Sequence, residues 1–209
     1  MRFLAIALML FQVMLETSLA EQTRFAFVEK QMGADFRIVL YADNEKVANE
    51  AATSAFAEVE RLNAILSDYD PESELSRLSE TSGSGQHIPL SDDLFAVLDA
   101  SQKLSRQTAG AFDITIGSCV RLWRIACFRK SFPLPEKLAE ARKAVGFRHL
   151  NISHTKHTAL LEVPNMMLDL GGIAKGYVAE RALMVVRKLG IRSVLVDAGG
   201  DLVLGDPPP

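Results

Sequence analysis

Two glycine pairs, each closing an apolar run beside a carboxylate, constrain this chain more than any other feature. The first is Asp169-Leu170-Gly171-Gly172-Ile173-Ala174-Lys175-Gly176, entered from Met166-Met167-Leu168; the second is Asp197-Ala198-Gly199-Gly200-Asp201, entered from Ser193 to Val196. Glycine is used where φ must be positive or where something must approach the main chain closely. Between the pairs Val178, Ala182, Val185, Val186 and Leu189 recur at helical spacing, and Lys175 stands where that helix opens. Backbone amides, a helix N-terminus and an ammonium can therefore face one anion such as a phosphate, with metal-capable carboxylates alongside. A P-loop would need Gly-Lys followed by Ser or Thr, and a dinucleotide fingerprint Gly-x-Gly-x-x-Gly; neither fits. A ligand-free, glycine-rich turn between helix and strand is the plain alternative.

The rest of the chain supplies elements of both kinds. Arg24 to Glu29 and Ala34 to Tyr41 alternate as two strands joined at Gln31-Met32-Gly33. Asn44 through Leu66 keeps helical period with Val47, Ala51, Ala55, Val59 and Leu62 on one face. Pro71 breaks it and Ser73 opens a short turn, while Thr81 to Gln86 is a surface loop. Ser91 caps a helix stopped by Gly110, and Pro135 opens another ended by Gly146. Leu150 to Ile152 and Ala159 to Val163 form a hairpin with His154 and His157 in its turn, and Leu202 to Leu204 pairs back on Ser193 to Val196. Helices laid against mostly antiparallel strands make an α+β domain.

At 209 residues with 48% hydrophobic content the chain can bury one core and reads as one domain. A net charge of -3 without long runs gives no basic footprint for nucleic acid. Arg2, an apolar run from Phe3 to Leu15, and Ser18-Leu19-Ala20 have the form of a signal peptide cut before Glu21, leaving a mature domain over 21–209. No lipobox cysteine follows the cut, and the protein is expected to be exported to the periplasm. The alternative is an uncleaved anchor holding it at the periplasmic face of the inner membrane. Export places Cys119 and Cys127 in an oxidising compartment, where they can pair only if Val120 to Ala126 turns back. Spacing alone does not establish that bridge. Two cysteines and four scattered histidines give no zinc pattern.

Taken together, several segments resemble the ApbE family, the FAD:protein FMN transferases. Met32-Gly33-Ala34 is similar to the family's Met-Gly-Thr opening. Leu66-Ser67-Asp68-Tyr69 followed by Ser73-Glu74-Leu75-Ser76-Arg77-Leu78 matches a second motif, which the family commonly closes with Asn and this chain with Ser79. Gly110-Ala111-Phe112-Asp113-Ile114-Thr115-Ile116 ahead of Leu122-Trp123 is the third match, and the two glycine pairs are the fourth. The resemblance runs from Met32 to Gly205 and stops there. Family members continue for roughly another third of a domain, so the C-terminal part is expected to be missing, as a fragment or a shortened relative.

The resemblance implies a reaction and a site. The reaction is Mg²⁺-dependent transfer of FMN from FAD, its substrate, to a Ser or Thr hydroxyl of an acceptor flavoprotein, with release of AMP. Met32 would contact the flavin nucleotide, and Tyr69 would be its aromatic wall or hydroxyl partner. Ala111 and Phe112 would line the FAD site, with Asp113 on ribose or adenine. Asp169 and Lys175 would meet the nucleotide, and the Gly172 carbonyl would be a magnesium ligand. No catalytic residue is assigned, and Asp197 and Asp201 read as turn carboxylates. In the family the missing part carries an Asp and a Thr that complete the metal shell and a His that assists proton transfer, so poor activity is expected of these residues alone. FAD binding or FAD hydrolysis without an acceptor, and a non-catalytic flavin carrier, remain open beside it.

Overall fold

A computed structural model describes residues 22–209; the proposed signal peptide lies outside the described residues. The first two strands, β1 (Thr23–Gln31) and β2 (Ala34–Ala42), form a hairpin whose two connecting residues, Met32 at φ 49° and Gly33 at φ 71°, both have positive φ. That geometry matches the right-handed twist of the strands. Phe36, Ile38, Leu40 and Ala42 alternate into the core, as period two requires. The sheet has the antiparallel order β1-β2-β6-β7, with β6 (Val194–Ala198) beside β2 and β7 (Asp201–Leu204) at the far edge.

Helix α1 (Glu45–Leu66) is capped by Asn44, whose Oδ1 accepts from the Val47 amide at 3.0 Å. Its Ala48, Ala51, Ala52 and Ala55 are buried, and the small stripe lets α6 (Ala174–Lys188) pack closely through Val178, Ala179, Ala182 and Val186. Ser73, expected to open only a turn, caps α2 (Glu74–Glu80) by accepting from the Ser76 amide. Helix α3 (Asp92–Gln107) reaches a second, three-stranded sheet through Gln102, whose Nε2 donates to the carbonyls of Phe147 and Leu150. That sheet has the order β3-β5-β4, from β3 (Ile88–Pro89), β4 (Leu150–Ser153) and β5 (Thr158–Leu161). His154 and His157 sit in its hairpin turn, and both rings pack on Phe95. The architecture is the α+β arrangement of antiparallel strands and packed helices read from the sequence.

Two further helices are α4 (Gly117–Arg129), for which the sequence predicts no element, and α5 (Pro135–Lys143). Because α4 is continuous, Val120 to Ala126 does not turn back. Cys119 and Cys127 stand eight residues apart on one helix, about 12 Å along its axis, beyond disulfide reach; both are free thiols. An ion network joins α1, α3 and α6. Arg61 donates to Glu58 and Asp93 at 2.8 Å, and the Tyr177 hydroxyl donates to Asp93 at 2.6 Å. Burial and that hydrogen bond push the Tyr177 hydroxyl up to about 12.

Candidate active site

The apolar entry Met166-Met167-Leu168 is extended chain but not a sheet strand. It is held by three neighbours. Met167 bridges Ile116 in parallel, and its carbonyl accepts from the Gly117 amide at 3.1 Å. The Asp169 amide donates to the Ile114 carbonyl at 2.8 Å. The Ser79 hydroxyl accepts from the Leu168 amide at 3.2 Å, so the position where the family commonly has Asn still holds this segment through a side chain. Gly117 permits the close approach, since a Cβ there would lie 2.5 Å from the Met167 carbonyl oxygen.

Asp169 begins the turn into α6. One of its oxygens accepts from the Gly171 amide at 2.8 Å and the other from Arg124 at 2.9 Å. Arg124 also donates to Asp68 at 2.5 Å and lies over the Tyr69 ring, 4.1 Å from its centroid. One guanidinium therefore ties the loop after α1, helix α4 and the glycine turn together. Burial raises the Asp68 carboxyl above its usual range; the hydrogen bond from Arg124 opposes this and the nearby charge of Asp169 adds to it. Tyr69 is 75% exposed and free to meet a ligand. Ser67 fixes its backbone by accepting from the Tyr69 and Asp70 amides at 3.2 Å.

Further along the turn the polar groups lose their protein partners. Among the described residues no backbone amide donates to the Gly171 or Gly172 carbonyls, and both glycines are exposed. The Phe112 ring covers Gly172, where a Cβ would lie 3.2 Å from it. Lys175 occupies the first turn of α6, whose N-cap, Ile173, provides no side-chain cap. Among the described residues no carboxylate lies within 4.0 Å of its ammonium. A Cβ added at Gly199 would sit 3.9 Å from the Lys175 Nζ and 2.6 Å from the Ala34 side chain. Gly199, at φ 68°, thus lets the second glycine turn close against both the β1–β2 hairpin and Lys175. The hairpin turn carrying Met32, the turn at 199–200 and the N-terminus of α6 meet at one end of the main sheet.

The residues expected at the site therefore fall into two groups linked by Asp169. Met32, Phe112, Gly172 and Lys175 surround the glycine turns. Tyr69 belongs to an open groove of about 1530 Å³, lined also by Asp68, Ser79, Arg124, Phe128 and Met167 but by neither Gly172 nor Lys175. Asp113 spends one oxygen on the Thr115 amide and hydroxyl, at 2.9 and 2.7 Å, and the other on the Phe147 amide at 2.8 Å. Its carboxylate thereby shapes the loop that carries Ala111 and Phe112. Asp197 does similar work in its turn by accepting from the Gly200 amide. Arg124 and Thr115 are the members that sequence reading missed. Arg124 immediately follows the Leu122-Trp123 pair, but nothing in sequence links it to acids 56 and 45 residues away.

A divalent ion needs several oxygens. The described residues offer the free Gly172 carbonyl and contain no cluster of three His, Cys, Asp or Glu fit to hold a metal.

Comparison with known proteins adds independent findings. A family model described as the ApbE family matches residues 32–209. The chain is similar to a Haemophilus influenzae FAD:protein FMN transferase, 30% identical over 179 residues that cover 83% of this chain and 52% of the relative. A Treponema pallidum FAD:protein FMN transferase is 28% identical, over 88% of this chain and 52% of its own. Among solved structures, flavin transferase ApbE from Vibrio cholerae superposes with a TM-score of 0.76 at 26% identity, covering 88% of this chain and 60% of that one. The apo form of Pseudomonas stutzeri flavinyl transferase ApbE gives 0.79 at 25% identity, over 92% and 64%. The chain spans about half the length of the curated relatives it matches.

Proposed function

The chain belongs to the ApbE family, and from that premise we propose that it serves the transfer of FMN from FAD to a Ser or Thr hydroxyl of an acceptor flavoprotein, with magnesium required and AMP released. In that reaction the acceptor oxygen bonds to the FMN phosphorus and the bond from that phosphorus to the bridging oxygen breaks. AMP leaves with the bridging oxygen, and the hydroxyl proton passes to a base. Magnesium, when bound, neutralises charge on the diphosphate. The Gly172 carbonyl would be one of its ligands, the others coming from phosphate, water and groups outside the described residues.

The remaining roles fall to this chain's side chains. Lys175 meets the diphosphate as a point charge beside the N-terminus of α6. Met32 and Phe112 bound the nucleotide, and Tyr69 offers its open ring face to the flavin. Asp169 and Asp113 hold the two loops that present these groups, and Ala111 lines the site beside Phe112. The observation that carries the reading is the coincidence, on one helix-entry turn, of an ammonium and a carbonyl that have no partner among the described residues. The protein acts after export, at the periplasmic side.

Incubation with FAD and Mg²⁺, with and without an acceptor domain, tests it. Flavin fluorescence on the acceptor band of a denaturing gel is the expected result. Free FMN and AMP without an acceptor band would replace transfer by hydrolysis. FAD binding with no product would make the chain a flavin carrier.

A further inference from the structure

The hairpin of α4 and α5 is unlike the rest of the molecule. Helix α5 buries no residue, and α4 buries only Gly117, Cys119 and Ala126, so the pair stands out from the core. At its tip Phe128 is 90% and Phe132 86% exposed, with Leu134 at 53%. Trp123 and Phe132 meet edge to face at 6.0 Å, so the tip loop folds back on α4. Exposed apolar groups gathered in this way mark a contact surface.

Charge identifies the surface that would be contacted. From Gly117 to Pro135 there is no Asp or Glu. From Gly117 to Lys143 seven basic residues stand against Glu136 and Glu140, in a chain whose net charge is -3. Arg124 is committed to Asp68 and Asp169, but Arg129 and Lys130 lie exposed between the two phenylalanines. An exposed tip of aromatic rings with interleaved cations suits the interfacial zone of an anionic bilayer. There rings settle at the boundary between headgroups and acyl chains, and Arg and Lys reach lipid phosphates. We propose that the α4–α5 tip docks this protein onto an anionic lipid surface. Phe128, Phe132 and Leu134 enter the boundary, and Arg129 and Lys130 meet the headgroups. The proposal stands independently of the flavin reading.

Trp123, the chain's single tryptophan, reports on the tip. The full chain is titrated with vesicles of phosphatidylcholine alone and of phosphatidylcholine mixed with phosphatidylglycerol. Trp123 emission is read for a blue shift, and pelleted vesicles for bound protein. The shift is expected only with the anionic vesicles and should fade as salt is added. Phe128→Ser with Phe132→Ser, and separately Arg129→Gln with Lys130→Gln, should each weaken binding about tenfold or more. These side chains are exposed, so unfolding curves should stay unchanged. Equal binding to neutral vesicles, or unchanged binding in both variants, would overturn the proposal. So would dimerisation in lipid-free ultracentrifugation that either variant abolishes, since the tip would then serve self-association.

Discussion

At Asp169 the backbone amide and both carboxylate oxygens are engaged, by Ile114, Gly171 and Arg124. Three residues on, the Gly172 carbonyl accepts from no described backbone amide, and Lys175 faces a glycine turn with no described carboxylate within 4.0 Å of its ammonium. One short turn thus has a satisfied end and an open end. The exposed Gly172 carbonyl and the half-buried Lys175 ammonium have only water to meet them, and ordered water is readily replaced by a ligand group that makes the same hydrogen bonds. The open end is where a ligand can complete what the protein has left incomplete, and the satisfied end fixes its position. Substitutions at the first end should cost stability, and at the second ligand affinity.

The largest loss of stability is expected at Gly117→Ala. The added Cβ would press on the Met167 carbonyl, and backbone there cannot swing aside. A cost of about 2–4 kcal/mol in urea unfolding is expected; a cost within experimental error would mean that the entry segment is not fixed as described. Arg124→Ala comes next. It leaves Asp68 and Asp169 facing each other unpaired, and with a third of the arginine exposed the cost should be about 1–3 kcal/mol. Adding Asp68→Asn should recover part of it, because one of the two like charges is removed.

Lys175→Ala sharpens the contrast from the other side. Its stability should stay within about 0.5 kcal/mol of wild type, while FAD affinity falls about tenfold or more as a charge-assisted contact is lost. A destabilised Lys175→Ala with unchanged affinity would invert the assignment of the two ends. The smallest effect is expected at the ion network of Glu58, Asp93 and Arg61. The hydrogen bond from Arg61 holds the Glu58 carboxyl below its ordinary 4.5. Burial works to raise Asp93, but the Tyr177 hydroxyl and Arg61 outweigh it and hold it below 3.8. Depressed folded-state values mean stability that is fully present above about pH 4.5 and is lost as pH falls through those values. Glu58→Gln should therefore flatten the fall in stability between pH 5 and 3 by roughly 1 kcal/mol or less, read from urea midpoints.

Much of this was legible in the sequence, for physical reasons that differ by element. Helix α1 and strand β2 carry strict periods of 3.6 and 2, because each buries one face against a single core. Helix α4 carries no such signal, because it rests on the body at only a few residues and opens without a side-chain cap. The glycine turn is visible because glycine at a close approach leaves its own mark. Arg124 is invisible because its partners are brought to it by the fold across 56 and 45 residues. Asp113 shows the converse: its motif was plain, but only the structure reveals that Thr115 and Phe147 take its oxygens.

The most direct measurement is calorimetric titration of FAD into the wild-type chain and into Lys175→Ala, each with and without Mg²⁺. The account predicts FAD uptake by wild type that strengthens with magnesium and is weakened at least about tenfold in the variant. No uptake by wild type in magnesium buffer, or equal uptake by the two proteins, would contradict the claim that the open end of this turn holds the diphosphate.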